Sequence, residues 1–113
     1  MIDHVTPAQL ADWLQRAQDR GTPVVLDVRE NWELETASVQ PAGFDLVAIP
    51  MGDVPQRLAE LDPVRPVACL CHHGARSLRV AAFLAQNGFA SVANISGGID
   101  AWSRERDPAV PRY

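Results

Sequence analysis

Four short apolar runs recur along the chain: "VVLDV" (24–28), "DLVAIPM" (45–51), "VACLC" (67–71) and "SVANI" (91–95). Each is too short for a typical helix, and turn-forming stretches such as "RGTP" (20–23) and "DPVRP" (62–66) separate them from their neighbours. Runs of this length between breakers read as buried strands. The segments between them have helical spacing. In "VTPAQLADWLQRAQ" (5–18), Thr6 is the N-cap, Pro7 takes the first helical position and Gln9 closes a capping box. Val5 staples onto Leu10, and Leu10, Trp13, Leu14 and Ala17 share one face. "RENWELETA" (29–37) is a short helical piece, and "VPQRLAEL" (54–61) is a helix capped by Asp53. "RSLRVAAFLAQN" (76–87) is a helix ended by Gly88, and "GGIDAWSRER" (97–106) is a last helix before the tail "DPAVPRY" (107–113). Strands alternating with helices predict an α/β domain whose mainly parallel sheet is covered on both faces. With 113 residues, 47% of them apolar, the chain has material for one core, so a single domain over 1–113 is expected.

Several classes of function are disfavoured. No apolar run approaches the ~20 residues of a membrane span. The start, "MIDHVTPAQLADW", lacks a basic stretch followed by an apolar one, so no secretory signal and a cytoplasmic location are expected. The net charge is −4, with ten arginines, no lysine and no basic run, which argues against nucleic acid as a partner. Cys69 and Cys71 are too few and too close for a disulfide framework, so a reduced thiol in a reducing compartment is expected.

Parallel sheets place their sites at the carboxyl ends of the strands. Cys71 stands at such an end, followed by His72, His73, Gly74 and Arg76, and then by a helix. Gly74 lets the loop curl. A tight loop before a helix start turns several N–H groups inward and forms an anion-binding nest. Those dipoles and Arg76 favour a thiolate, so the Cys71 pKa is expected below the free value of ~8.5. The thiolate is the form that attacks. The alternative is that Cys71 is simply a small core residue at a strand end.

"CHHGARS" (71–77) resembles the active-site loop of the rhodanese-like sulfurtransferases, Cys-x-x-Gly-x-Arg-Ser. "LDVRE" (26–30), followed by Glu33, resembles the family's Asp-Val-Arg-x-x-x-Glu segment, and "NISGGIDAW" (94–102) its Gly-Gly-x-x-Ala-Trp segment. "VPQRLAEL" and the ending "DPAVPRY" are similar to single-domain bacterial members, and such endings also occur in rhodanese domains attached to enzymes that load sulfur onto ubiquitin-like carriers. The resemblance runs from Val5 to the end of the chain.

The resemblance implies a rhodanese-like fold: a central sheet of five parallel strands with helices on both faces, the fifth strand lying at Asp3 to Val5. It also implies that Cys71 takes a sulfane sulfur from a donor, becomes a persulfide and passes the sulfur to a thiophilic acceptor. In this carry-over the backbone N–H groups of the loop, from His72 through His73, Gly74, Ala75 and Arg76 to Ser77, cradle the sulfur. Arg76 holds a small anionic donor such as thiosulfate, for which a guanidinium fork is suited. A sulfur-acceptor protein is a possible partner, and no metal or organic cofactor is implied. The chain departs from the family between 36 and 45. Within "ASVQPAGFDLVAIP" only Pro41 fits the usual pattern, and Leu34 stands where an aromatic is common, so no site residue is carried over from there.

Other residues take supporting roles in this reading. Asp27 orders the active-site end of the sheet, and Arg29 pairs with Glu30 or Glu33, both behind the substrate rather than on it. His72 and His73 are exposed loop residues and not a metal site, because adjacent side chains diverge and no further ligand stands at a useful spacing. Cys69 packs in the core. Gly97 and Gly98 permit a turn near the Cys71 loop. Trp13, Trp32 and Trp102 are core or half-buried anchors. Two rival functions remain. A cysteine phosphatase uses Cys, five residues, then Arg; here only four residues separate Cys71 from Arg76, a loop better sized for sulfur than for phosphate. A non-catalytic rhodanese-like binding module commonly lacks the cysteine, and this chain has it.

Overall fold

A computed structural model describes residues 2–113. Five strands form one sheet: β1 (Ile2–Val5), β2 (Val24–Asp27), β3 (Asp45–Ala48), β4 (Val67–Leu70) and β5 (Val92–Ile95). Their order is β1-β5-β4-β2-β3, and every pairing is parallel. β4 is therefore the middle strand, with Leu26 of β2 on one side of Cys69 and Asn94 of β5 on the other. β2, β4 and β5 are buried at every position, as continuous apolar runs inside a parallel sheet should be.

Because side chains alternate across a strand, each run feeds two cores. Val25, Ala68, Leu70, Ala93 and Ile95 meet helices α1 (Leu10–Ala17) and α4 (Gly98–Glu105) on one face. Val24, Leu26, Val67, Cys69, Cys71 and Val92 meet α3 (Ala75–Gln86) on the other. The fold is thus the expected α/β architecture with helices on both sides. The chain enters α1 through a 3-10 turn at Pro7–Gln9, and the predicted capping box is present there: the Gln9 N–H donates to Thr6 Oγ1 (3.3 Å) and the Thr6 N–H to Gln9 Oε1 (3.0 Å).

The segment 54–61 is not the predicted helix capped by Asp53. Asp53 lies in a 3-10 turn (Met51–Asp53), and a second such turn covers Leu58–Glu60. Arg57 at φ −106°, ψ 14° sits outside the helical region and divides the segment. Two tight turns still bury Val54 and Leu61. The second predicted strand is also shorter than expected, ending at Ala48, because Met51 already opens the 3-10 turn. Trp32 is not an anchor either: it is 62% exposed, since the six-residue α2 (Asn31–Thr36) turns only Glu33 fully inward. Trp13 and Trp102 are buried.

Candidate active site

Cys71 follows the last residue of β4 and is 1% exposed, at the base of the loop that leads into α3. Gly74 caps α3 with φ +111°, a backbone state that a side chain disfavours. This curl directs the Gly74 N–H to Cys71 Sγ at 3.0 Å. Ser77, in the first turn of α3, brings its hydroxyl to 3.2 Å from the same sulfur. That hydroxyl also lies 2.6 Å from Asn94 Oδ1 and 3.2 Å from the Gly74 carbonyl. Ser77 has one proton and three acceptors in reach, so it can accept from a Cys71 thiol or turn its proton to a thiolate. The α3 N-terminus adds its positive dipole end beneath the sulfur. Ala75 is exposed at the start of that helix.

The loop is clamped from the far side by α4. The Ile99 N–H donates to the Cys71 carbonyl at 2.8 Å and the Asp100 N–H to the His72 carbonyl at 3.2 Å. Gly97 and Gly98 make the turn that lets α4 approach so closely. Cys69 is fully buried in the α3-side core, and burial together with the neighbouring Cys71 pushes its thiol pKa up strongly. Its surroundings are those of a packing residue. Both cysteines are free.

Arg76 is the loop's arginine, and Glu33 engages it from the protein side. Nη1 donates to Glu33 Oε1 at 2.6 Å and Nη2 to Oε2 at 2.8 Å. The Arg76 guanidinium, with the Tyr113 and Glu30 hydrogen bonds behind it, holds the Glu33 carboxyl down at about 2 against the cost of burial. Glu33 in turn raises the Arg76 pKa. Arg29 does not pair with Glu30 or Glu33 as predicted from the sequence. It is fully buried and folds back on Asp27, whose carboxylate accepts from its N–H (3.1 Å), Nε (2.9 Å) and Nη2 (2.7 Å). The Glu33 carboxylate is already occupied by Arg76, which explains the difference. Arg29 also donates to the carbonyls of Glu33 (3.3 Å) and Ala37 (2.8 Å). Asp27 and Arg29 therefore tie the end of β2 to α2 and to the chain behind it, behind the cysteine loop.

His73 is exposed as expected, but His72 is only half exposed. Its ring lies between His73 (4.0 Å between centroids) and Tyr113 (3.9 Å, planes 7° apart), and its Nε2 is 2.6 Å from the Tyr113 backbone oxygen. The tail packing on it accounts for the difference. Among the described residues there is no cluster of three or more His, Cys, Asp or Glu side chains that could hold a metal ion.

Three contributors escape a reading of the sequence as site residues. Asn94, the polar residue inside "VANI", fixes Ser77. Glu33 stands in a quoted motif and is expected only as a partner for Arg29, whereas it engages Arg76. Tyr113 donates its hydroxyl to Glu33 Oε2 at 2.6 Å and accepts from Arg29 Nη1 at 3.1 Å. A polar residue in a buried strand was the available signal for Asn94; Tyr113 gave none beyond its place in the tail.

A parallel five-stranded α/β domain with a cysteine loop at the end of its middle strand, clamped by a Gly-Gly turn, belongs to a recognisable class. The family model of the Rhodanese-like domain matches residues 10–105, and the chain belongs to that family. It is 34% identical over 110 residues to a protein of Allochromatium vinosum named Sulfurtransferase, covering 97% of this chain and 96% of that one. It is 40% identical over 91 residues to the Arabidopsis thaliana Rhodanese-like/PpiC domain-containing protein 12, chloroplastic; the match covers 79% of this chain but spans only 30% of that longer protein. Among solved structures, a rhodanese-related protein from Thermoplasma volcanium superposes with a TM-score of 0.75 at 30% identity, over 98% of this chain and 99% of that one.

Proposed function

We propose that the protein is a sulfurtransferase that carries a sulfane sulfur on Cys71 as a persulfide. The observation that carries this reading is the environment of Cys71 Sγ: a Gly74 N–H at 3.0 Å, a Ser77 hydroxyl at 3.2 Å and the start of a twelve-residue helix. All three stabilise negative charge on sulfur. The sulfurtransferase name of the Allochromatium vinosum relative supports the same class of reaction.

With thiosulfate as donor, the Cys71 thiolate attacks the outer sulfur. A new S–S bond forms, the donor's S–S bond breaks, and sulfite leaves with the bonding pair. The Cys71 persulfide, with its charge on the terminal sulfur, is then attacked at that sulfur by a thiophilic acceptor such as cyanide. Thiocyanate leaves and the thiolate returns, so the cycle closes without an external oxidant or reductant. In this reading the loop N–H groups from His72 to Ser77 cradle the added sulfur, as the Gly74 N–H already does the thiol at 3.0 Å, and Arg76 is the donor's cationic partner. The free thiol that this cycle requires fits a reducing, cytoplasmic setting, and a thiol-bearing acceptor protein fits the sulfur's next step. Thiocyanate formation from thiosulfate and cyanide tests the reading: a rate that disappears in Cys71→Ser supports it, and a rate that persists overturns it. Capture of proteins on the persulfidated chain then identifies the acceptor.

A further inference from the structure

The charge that should attract an anionic donor is already answered. The fork of Arg76 closes on Glu33 through two hydrogen bonds of 2.6 and 2.8 Å, the strong bidentate geometry of guanidinium and carboxylate. The Glu33 side chain is 3% exposed and that of Arg76 32%, so the carboxylate is fixed and the arginine leans on it. Each Glu33 oxygen accepts a second bond as well, Oε1 from the Glu30 N–H (3.0 Å) and Oε2 from the Tyr113 hydroxyl (2.6 Å). Behind it the other arginine of the network, Arg29, is matched by Asp27 at 2.7 Å. Two arginines face two carboxylates, and their formal charges cancel. Glu33 remains ionised across the working pH range because Arg76 holds its carboxyl at about 2. Arg79, one turn along α3, is exposed to water, where its field is screened.

A donor near Cys71 therefore meets an arginine whose attraction is offset by the Glu33 carboxylate behind it. Coulomb repulsion from that carboxylate is twice as large for a dianion as for a monoanion at the same distance. We infer that Glu33 is a specificity-determining residue: seated in the fork of Arg76, it turns the site against doubly charged sulfur donors and toward singly charged organic ones, whose sulfane sulfur is attached to a carbon-bearing group. This rests on the sulfur-transfer reading of Cys71 and adds the donor's charge to it.

Thiosulfate, a dianion, and methanethiosulfonate, a monoanion, are the two probes. Glu33→Gln keeps the size of the side chain and removes its charge. The ratio of kcat/KM for thiosulfate to that for methanethiosulfonate should rise at least about five-fold in Glu33→Gln, through a lower thiosulfate KM. A ratio that is unchanged or lower, with both KM values raised, would mean that Glu33 only holds Arg76 in place and would overturn the inference. Binding gives a second test that needs no turnover and no change at position 33. In Cys71→Ser, titrated with each anion, methanethiosulfonate should bind at least as tightly as thiosulfate. Thiosulfate binding about ten-fold more tightly would overturn the inference even where Glu33→Gln does not fold. Anion binding without any persulfide on the parent protein from either donor would sink the sulfur-transfer reading instead, while the affinity comparison still decides the role of Glu33.

Discussion

Gly98 lies directly against the carbonyl oxygens of Cys71 and His72. A Cβ at Gly98 would stand 2.5 Å from the Cys71 oxygen and closer still to that of His72, and its φ of +60° disfavours a side chain in any case. Those carbonyls accept from the N–H groups of Ile99 and Asp100, so the start of α4 and the cysteine loop are one unit. Gly98→Ala is expected to push the loop off α4. Stability should fall by about 2–4 kcal/mol from backbone strain and the clash, and sulfur transfer should drop by more than ten-fold even below the melting temperature. Thermal unfolding and thiocyanate rates on the same samples measure both. Parent-like activity would mean that the loop holds its shape without α4.

The acid limb of the stability curve should report Glu33. Its carboxyl is held at about 2 in the fold against an ordinary 4.5. The folded protein thus binds that proton less tightly than the unfolded chain does. The resulting stability is fully present above pH 4.5 and is lost as pH falls toward 2, roughly 3 kcal/mol in all. In Glu33→Gln that part of the slope should be missing. Urea midpoints measured across this window test it; parallel curves for the two proteins would contradict it.

Tyr113→Phe removes the hydroxyl that joins Arg29 to Glu33 while leaving a ring to stack on His72. The loss should be about 1–3 kcal/mol, since two buried charged groups each lose a hydrogen bond. Tyr113→Ala should lose about 0.5–1.5 kcal/mol more with the stack. Denaturant unfolding separates the two steps, and equal stability in Tyr113→Phe and the parent would deny the hydroxyl its bridging role.

These side-chain networks mark where the sequence stops being readable. β2, β4 and β5 were visible because their residues are apolar on both faces. β1 is largely exposed, with only Val5 buried, and no apolar run announces it; its place came from family resemblance. Cys71 was legible because strand end, glycine and arginine coincide within a few residues. The pairing of Glu33 with Arg76 spans 43 residues, and that of Tyr113 with Glu33 spans 80. Only the sheet order, which sets β2 beside β4, brings them together. Arg29 turns to Asp27 because the chain leaves β2 at Asp27, which lets the guanidinium fold back on that carboxylate, and because the distant Arg76, invisible as a partner in the sequence, takes Glu33.

Arg76→Ala should raise the thiosulfate KM by about ten-fold or more, because the unpaired Glu33 carboxylate then faces the incoming anion alone. Arg76→Lys should recover part of this loss, since a point charge cannot span both carboxylate oxygens. Stability should fall in Arg76→Ala by about 1–2 kcal/mol, less than for a fully buried pair because Arg76 is a third exposed. Steady-state kinetics with the three proteins measure the order; an unchanged KM in Arg76→Ala would remove Arg76 from donor binding.

The sulfur carrier we propose is Cys71 and not Cys69. Cys71 Sγ accepts the Gly74 N–H and touches Ser77, whereas Cys69 is fully buried with its thiol held protonated by burial. Intact-protein mass spectrometry after incubation with a sulfane-sulfur donor tests this most directly, using thiosulfate and methanethiosulfonate in parallel. The parent should gain the mass of one sulfur atom and lose it again on addition of cyanide or a dithiol. Cys69→Ser should behave likewise, at some cost in stability, and Cys71→Ser should gain nothing. Added sulfur that maps to Cys69, or that still appears in Cys71→Ser, would contradict the account.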